Sequence, residues 1–212
     1  MEENQEPKYS PVEEFISAST HAIGTLLSIY GLVMLIANSH NPAETASTSI
    51  FGAMMFLLFQ SSTLYHAMVN ETAKKVFRKI DHSAIFLLIA GTYTPFFILV
   101  VPYPNSIALL AMTWYISIMG IVFSCITVKF KYINTALYLV MSWLSVLLVY
   151  RLVELGQINV IWYLLGGGLV YSLGCIFYLL KKVKFTHCIW HLFVMGGAVM
   201  HYFAIMSLLT NH

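Results

Sequence analysis

Long apolar runs separated by short polar connections make up most of the chain. A helix needs about 20 apolar residues to cross the hydrocarbon core of a bilayer. Runs of this length occur seven times, and turn-forming residues separate most of them. The predicted spans cover residues 16–37, 47–68, 81–101, 106–128, 132–150, 158–180 and 187–209. The pattern therefore predicts an all-α fold: a polytopic bundle of seven transmembrane helices forming a single domain over residues 1–212, of which residues 1–15 are a short cytoplasmic N-terminal segment.

The composition agrees with a protein embedded in a membrane. Of the 212 residues, 59% are hydrophobic and only 9% are charged, and the mean hydropathy is +0.78. Soluble domains carry about 25% charged residues. The net charge of +2 and the lack of a basic stretch interleaved with aromatic residues argue against nucleic acid as a partner. We expect an integral cell-membrane protein whose partners are membrane lipids, including a lipid substrate or ligand within the bilayer.

The lysine and arginine residues predict the orientation of the bundle. If the N-terminus is cytoplasmic, ten of the eleven basic residues fall on cytoplasmic segments and only Arg151 falls outside. This is the excess of basic residues that cytoplasmic loops carry. The C-terminus is then external, opposite to G-protein-coupled receptors, which argues against that class. The ten cytoplasmic residues are Lys8, Lys74, Lys75, Arg78, Lys79, Lys129, Lys131, Lys181, Lys182 and Lys184.

Three histidines fall at the same predicted membrane depth. His66 lies near the cytoplasmic end of the second span, and His187 and His191 lie in the first two turns of the seventh. Residues four apart share one face of a helix, about 6 Å apart along its axis. Three imidazole ligands leave a coordination position open, which is typical of catalytic zinc sites. The pattern predicts a buried metal site, with zinc (Zn²⁺) as the expected ion, although imidazoles also suit iron, copper and nickel.

Two further polar residues belong to the same depth. Asp81, the only aspartate of the chain, is placed in the first turn of the third span, and Ser62 lies one turn before His66. The stretch from His187 to His191 lacks the glutamate that acts as general base in metalloprotease motifs, so Asp81 is the candidate base. Two alternatives stay open: Asp81 stabilises a helix N-terminus through the helix dipole, and Ser62 bonds its own backbone.

Other polar and small residues have no single predicted role. His21 in the first span lies at a similar depth, and Glu14 is either its partner in a polar network or a surface residue. His82 follows Asp81 and points in a different direction round the helix. Residues 166–168 are three glycines within the sixth span, which predicts close helix packing.

At these residues the chain resembles the hemolysin III branch of the progestin and adipoQ receptor superfamily, over nearly its whole length. Ser17 departs from the asparagine that is usual at its position. The matching stretches are residues 14–21 (EFISASTH), 62–66 (STLYH), 80–95 (IDHSAIFLLIAGTYTP) and 187–202 (HCIWHLFVMGGAVMHY). The resemblance implies a multi-pass protein of a bacterial plasma membrane, with a zinc ion held by His66, His187 and His191 and with Asp81 and Ser62 near the zinc-bound water.

The superfamily is also similar to the alkaline ceramidases, membrane enzymes that hydrolyse the amide bond of ceramide. Members of the hemolysin III branch are linked to membrane homeostasis and to haemolysis. The resemblance implies a zinc-dependent intramembrane hydrolase that acts on a lipid amide or ester. Two alternatives remain open: a receptor or lipid-sensing bundle with structural zinc, and a cytolytic pore.

Overall fold

The fold consists of long helices joined by short connections. The computed structural model describes residues 9–126, 131–180 and 183–210, and within these ranges it contains helices and no β-strand, as the hydropathy pattern predicts. The elements of these ranges are α1 (Pro11–Ala37), α2 (Pro42–Ala67), α3 (Glu71–Val100), α4 (Asn105–Ile126), α5 (Lys131–Ser142), a 3₁₀ turn (Trp143–Ser145), α6 (Val146–Glu154), α7 (Ile158–Leu179) and α8 (Thr186–Thr210).

Some of the predicted features fall on parts of the chain that the structure does not describe. They are most of the N-terminal segment (residues 1–8), the predicted end of the fourth span (residues 127–128), and the basic residues Lys8, Lys129, Lys181 and Lys182.

The first two helices begin about one turn before their predicted starts because polar residues cap them. At α1, the Ser10 hydroxyl accepts from the backbone of Glu13 at 3.3 Å, and the Glu13 carboxylate accepts from the backbone of Ser10 at 2.9 Å. At α2, the Asn41 side chain accepts from the backbone of Glu44 at 3.0 Å. Each pattern satisfies backbone N–H groups that a helix start leaves free. Hydropathy registers only the apolar part of such a helix.

The predicted position of Asp81 in the first turn of its helix is wrong, because the third helix begins earlier. α3 begins at Glu71, where the Asn70 side chain caps it, rather than at residue 81. Its first turns are polar, which is why a hydropathy scan omits them. Asp81 therefore lies ten residues into the helix, about 15 Å from its start. A charge that far from the terminus gains little from the helix dipole, so the N-terminal role for Asp81 is wrong.

The predicted fifth span is interrupted by the 3₁₀ turn. An apolar stretch over Tyr132–Glu154 is long enough to cross a membrane, but the turn divides it into α5 and α6. The hydroxyl of Tyr93 in α3 donates to the carbonyl oxygens of Met141 and Ser142 at 2.9 and 2.6 Å. Tyr93 thus supplies a partner for carbonyl groups at the end of α5.

Six segments are long and apolar enough to cross a membrane: α1, α3, α4, the α5–α6 stretch, α7 and α8. The second helix is not among them, although it is 26 residues long. Its composition explains the difference, because a series of polar side chains lowers its mean hydropathy. The structure buries these side chains: Glu44, Ser47, Thr48, Ser61, Ser62 and His66.

The helices are arranged around α3. Successive contacts join α1 to α2, α2 to α3, α3 to α4, and α7 to α8, and α1 also packs on α8. In α3, 72% of the residues in the most apolar stretch are buried, against 44% or less in the other five segments. This order brings the start of α1, the end of α2 and the start of α8 to the same end of the bundle.

The three glycines of α7 do not all serve packing. A Cβ added at Gly166 would lie 2.4 Å from Met200, and one at Gly167 would lie 2.4 Å from the His201 ring. At Gly168 there is no heavy atom within 4 Å among the described residues. The predicted close packing is confirmed for the first two glycines and is wrong for Gly168.

We expect Gly120→Ala to destabilise the bundle. A Cβ at this position of α4 would lie 2.4 Å from the ring of Phe86, which is fully buried in α3 and has no free space to move into. Overpacking of this kind costs about 1–3 kcal/mol. Thermal unfolding of the purified protein in detergent measures the effect.

Gly168→Ala is the matched control, because its new methyl group meets open space and alanine favours a helix by up to about 1 kcal/mol over glycine. Equal stability of the two variants would contradict the packing of α3 on α4 described above.

Candidate metal centre

Three imidazole rings meet where α2 ends and α8 begins. Nε2 of His187 lies 3.2 Å from Nε2 of His66 and 3.2 Å from Nε2 of His191. The three side chains are buried, with exposures of 3%, 8% and 0% for His66, His187 and His191. The structure thus brings together the three residues predicted as metal ligands.

The spacing of these nitrogens fits a zinc ion. Zinc binds imidazole nitrogen at about 2.0–2.1 Å in a tetrahedral arrangement, which places two such nitrogens roughly 3.3 Å apart. Nitrogen lone pairs this close repel each other unless a proton or cation lies between them, and each neutral ring carries a single N–H. Within the described residues, these three histidines form the one group of at least three possible ligand side chains that lie close enough together to hold a metal ion.

The other ring nitrogen of His66 faces a carboxylate. Nδ1 of His66 lies 2.6 Å from Oε2 of Glu14, and Oε1 of the same carboxylate accepts from Nζ of Lys74 at 2.7 Å. Because a carboxylate accepts hydrogen bonds, Nδ1 carries the proton and the lone pair of Nε2 points toward the other two rings. Carboxylate partners of this kind orient metal-binding histidines and raise their basicity.

The backbone of α1 performs a related task for His191. Nδ1 of His191 lies 3.4 Å from the carbonyl oxygen of Ser17, which is a long hydrogen bond. Any residue at position 17 supplies this carbonyl, so the exchange of asparagine for serine leaves the contact in place. The Ser17 hydroxyl itself lies 3.4 Å from Sγ of Cys188.

His21 packs against the metal centre without joining it. Its ring stacks on that of His191, with centroids 3.8 Å apart and planes 10° apart, and it meets Phe59 edge-on at 5.1 Å. Neither of its nitrogens has a hydrogen-bond partner among the described residues. The polar network predicted for Glu14 and His21 therefore divides: Glu14 bonds to His66, and His21 contacts its neighbours through its ring faces.

Asp81 and Ser62, the predicted catalytic residues, lie beside His66. Both are buried, with exposures of 4% and 0%. The Asp81 carboxylate is close enough to interact with His66 and with Ser62, but the Ser62 hydroxyl has no partner in hydrogen-bond geometry among the described residues. The alternative in which Ser62 bonds its own backbone therefore does not hold. Both residues have polar atoms available near the three imidazoles.

His82 interacts mainly with its own helix. Its Nδ1 lies 2.8 Å from the carbonyl oxygen of Arg78 and 3.7 Å from the Asp81 carboxylate. His82 is thus a neighbour of Asp81 and not a member of the three-histidine group.

Tyr9 covers the histidines from the start of the chain. Its ring stacks on His187 with centroids 4.5 Å apart and lies 6.0 Å from the His66 ring. Burial raises the pKa of the Tyr9 phenol far above its ordinary value, with the neighbouring Tyr65 adding to the effect. Tyr9 is therefore a neutral phenol whose ring stacks on His187.

Sequence reasoning missed the roles of Tyr9 and left Glu14 undecided. A signal for Glu14 was present, because positions 14, 17 and 21 recur at the spacing of one helix face. That face of α1 is the one that meets α8 and His66. No comparable pattern marks Tyr9, since its position depends on how the chain enters α1.

An apolar cavity begins beside the histidines and extends into the bundle. Tyr178 and Trp190 line it, and their rings lie 6.5 and 5.1 Å from that of His187. The centre of a water-sized sphere can occupy about 70 Å³ of the cavity, several times what one water needs. The wall surface is mostly apolar, formed by aliphatic side chains such as Leu58, Leu88 and Val194 together with aromatic rings.

These features define an integral membrane protein: an all-helical bundle with six segments able to cross a bilayer and a buried three-histidine set that could hold a metal ion. The profile of the haemolysin-III related family matches residues 9–202. The chain belongs to this family.

Individual relatives agree with this assignment. The chain is 42% identical to "Hemolysin-3" of Bacillus cereus over 198 residues, covering 92% of this chain and 90% of that protein. It is 43% identical to "Hemolysin-3 homolog" of Bacillus subtilis (strain 168), covering 92% and 93%. "Monocyte to macrophage differentiation factor" of Homo sapiens is a more distant relative, 28% identical over 211 residues that cover 95% of this chain and 87% of that protein.

We expect His187→Ala to lose stoichiometric metal. His187 is the ring whose Nε2 faces both other histidines, so its removal leaves two ligands on separate helices. Elemental analysis of purified protein should give about one zinc per chain for the wild type and close to none for the variant. His40→Ala, which changes an exposed histidine outside the group, should retain the metal. Equal zinc in all three proteins would contradict the assignment.

We expect Glu14→Gln to weaken zinc binding by about 10- to 100-fold, because the amide is a poorer partner for His66 Nδ1 than the carboxylate. Competition with a chelator measures the affinity. Glu154→Gln, which makes the same change in an exposed ion pair with Arg151, should bind zinc as the wild type does. An unchanged affinity in Glu14→Gln would show that the 2.6 Å contact does not support the site.

Proposed function

We propose that this chain is a zinc-dependent hydrolase that cleaves an amide or ester bond of a membrane lipid. The observation that carries this proposal is the convergence of three imidazole nitrogens, with Nε2 of His187 3.2 Å from each of the other two, next to the buried Asp81 carboxylate and the buried Ser62 hydroxyl. Three protein ligands leave one coordination position for water, as in catalytic zinc sites. We propose that the activity contributes to membrane homeostasis by changing lipid composition.

Each polar residue has a task in this reaction. Zinc bound in such a site would lower the pKa of a bound water to near neutral, and the ion would also polarise a carbonyl group. Asp81 accepts the proton of the attacking water and delivers it to the leaving amine or alcohol. Ser62 donates a hydrogen bond to the oxygen that gains negative charge. Water adds to the carbonyl carbon, the C–N or C–O bond breaks, and the products are a fatty acid and an amine or alcohol.

The cavity supports a substrate with an acyl chain. It begins at Tyr178 and Trp190, beside His187, and its wall surface is mostly apolar. An acyl chain in this space would hold its carbonyl group near the histidines, and the apolar walls would exclude bulk water from the rest of the chain. Binding of the acyl chain thereby orients the carbonyl group for the reaction.

We also propose that α2 is a seventh span, with the N-terminus inside and the C-terminus outside. Its buried polar side chains lie against neighbouring helices, so they need not face lipid. The distribution of lysine and arginine supports the orientation. In this arrangement the histidines lie near the cytoplasmic leaflet.

The names of the bacterial relatives suggest a cytolytic protein as a second function. A conducting pore needs a polar path through the bundle, and the mostly apolar surface of the cavity favours lipid over water there. A purely structural zinc is less well supported, because such a site has no use for the buried Asp81 carboxylate and Ser62 hydroxyl next to His66.

We expect Asp81→Asn to bind zinc and fold normally but to hydrolyse lipid at least about 100-fold more slowly, since general acid–base groups contribute about 10²–10⁴-fold. Release of fatty acid from mixed lipid amides and esters in vesicles measures the activity. A chelator should abolish wild-type activity, and added zinc should restore it.

Glu71→Gln removes a carboxylate at the exposed start of the same helix and should leave the rate unchanged. Wild-type turnover by zinc-loaded Asp81→Asn would support a structural metal instead. No turnover by zinc-loaded wild-type protein on any of these lipids would contradict the enzyme proposal.

Reporter fusions test the orientation. We expect alkaline phosphatase, which is active outside the cell membrane, to be active when joined to the C-terminus, and a green fluorescent protein at the same position to be dark. A fluorescent fusion with inactive phosphatase would contradict an external C-terminus and an odd number of spans.

A further inference from the structure

The far end of the apolar cavity carries two polar atoms without partners. His201 on α8 and Tyr171 on α7 both line the cavity, and their rings meet edge-on with centroids 5.3 Å apart. Nδ1 of His201 and the Tyr171 hydroxyl are buried and make no hydrogen bond among the described residues. Buried polar atoms without a partner are few in folded proteins, because each costs a large part of its hydration free energy.

The other nitrogen of His201 determines what Nδ1 can bind. Nε2 lies 3.2 Å from the carbonyl oxygen of Leu164. A carbonyl only accepts, so Nε2 carries the proton, and Nδ1 of the neutral ring is left as an acceptor. The Tyr171 hydroxyl can donate. The two free positions are therefore one acceptor and one donor.

The packing around His201 keeps its ring at this position. The ring lies so close to Gly167 that a Cβ there would be 2.4 Å from Cδ2 and 2.5 Å from Nε2. The side chain is only 7% exposed. His201 is thus a fixed part of the cavity wall, so a ligand must adapt to the ring and the ring cannot turn away to find another partner.

We propose that His201 and Tyr171 bind a hydroxyl group on the acyl chain that occupies the cavity. A hydroxyl both donates and accepts, so it can satisfy His201 Nδ1 and the Tyr171 hydroxyl together, whereas a carbonyl or ether oxygen can only accept. This inference rests on the proposed function, because it assigns the substrate class of the same cavity: lipids whose acyl chain carries a hydroxyl group.

The position of the hydroxyl follows from the length of the cavity. Trp190, Val194 and His201 line it from α8, so the cavity follows that helix. His201 lies ten residues beyond His191, or about 15 Å along the helix axis. An extended chain advances about 1.2 Å per bond. The hydroxyl is therefore expected roughly twelve bonds from the carbonyl carbon at the histidines.

Native mass spectrometry of the zinc-loaded full chain tests this inference. The protein is equilibrated with equal amounts of two saturated fatty acids of the same length, one plain and one hydroxylated about twelve carbons from its carboxylate. The two adducts differ by one oxygen and are compared in a single spectrum. We expect the hydroxylated acid to be favoured about tenfold, since each hydrogen bond contributes about two- to tenfold in affinity.

Two variants isolate the contribution of the tyrosine hydroxyl. Tyr171→Phe removes an atom that has no partner within the described residues, so the variant should fold normally and the preference should fall by at least about twofold. Tyr163→Phe makes the same change at an exposed position of α7 and should keep the wild-type preference.

The outcomes distinguish this inference from the function it rests on. If both acids bind equally to the wild type, water serves the polar pair, and the hydroxyl assignment is wrong while the acyl cavity stands. If Tyr171→Phe keeps the full preference, the assignment of Tyr171 is wrong. If neither acid binds, the acyl cavity itself is contradicted, and the hydroxyl site falls with it.

Discussion

Three imidazole nitrogens that face one another inside an apolar bundle, with Nε2 of His187 3.2 Å from each of the other two, are the constraint on which the rest of the structure depends. Each neutral ring carries a single N–H, so a cation bound between the three buried rings would stabilise this arrangement. Nδ1 of His66 and of His191 contact acceptors, Glu14 and the Ser17 carbonyl, and these contacts direct the lone pairs inward. These three histidines could therefore hold a metal ion.

Four helices and the segment before α1 contribute different parts of the surroundings of the three histidines. α1 supplies the contacts behind the three imidazoles, α2 and α8 supply the imidazoles, and α3 brings Asp81 beside His66 from the middle of the bundle. The ring of Tyr9 covers His187 on one side, and the apolar cavity opens on the other side at Tyr178 and Trp190. The proposed hydrolysis would use the polar groups at one end of this arrangement and the apolar space at the other.

Much of the fold was predictable because membrane-spanning helices appear in the sequence as long apolar runs. The grouping of His187 and His191 was predictable because residues four apart share a helix face. The polar start of α3 was not predictable in this way, because a hydropathy scan detects only the apolar part of a helix. The break between α5 and α6 contains neither proline nor glycine and depends on Tyr93 from another helix. The contact of Glu14 with His66 joins residues 52 positions apart and follows from packing that local patterns do not contain.

X-ray absorption spectroscopy at the zinc edge of the purified, zinc-loaded protein tests the central claim most directly. The arrangement of Nε2 atoms around His187 predicts three imidazole nitrogens at about 2.0–2.1 Å and one oxygen of water, in tetrahedral geometry. Replacing His187 by alanine should remove this signal. A spectrum with sulfur ligands, with a closed shell of protein ligands, or with zinc bound only loosely to surface groups would contradict a three-histidine centre with an open position.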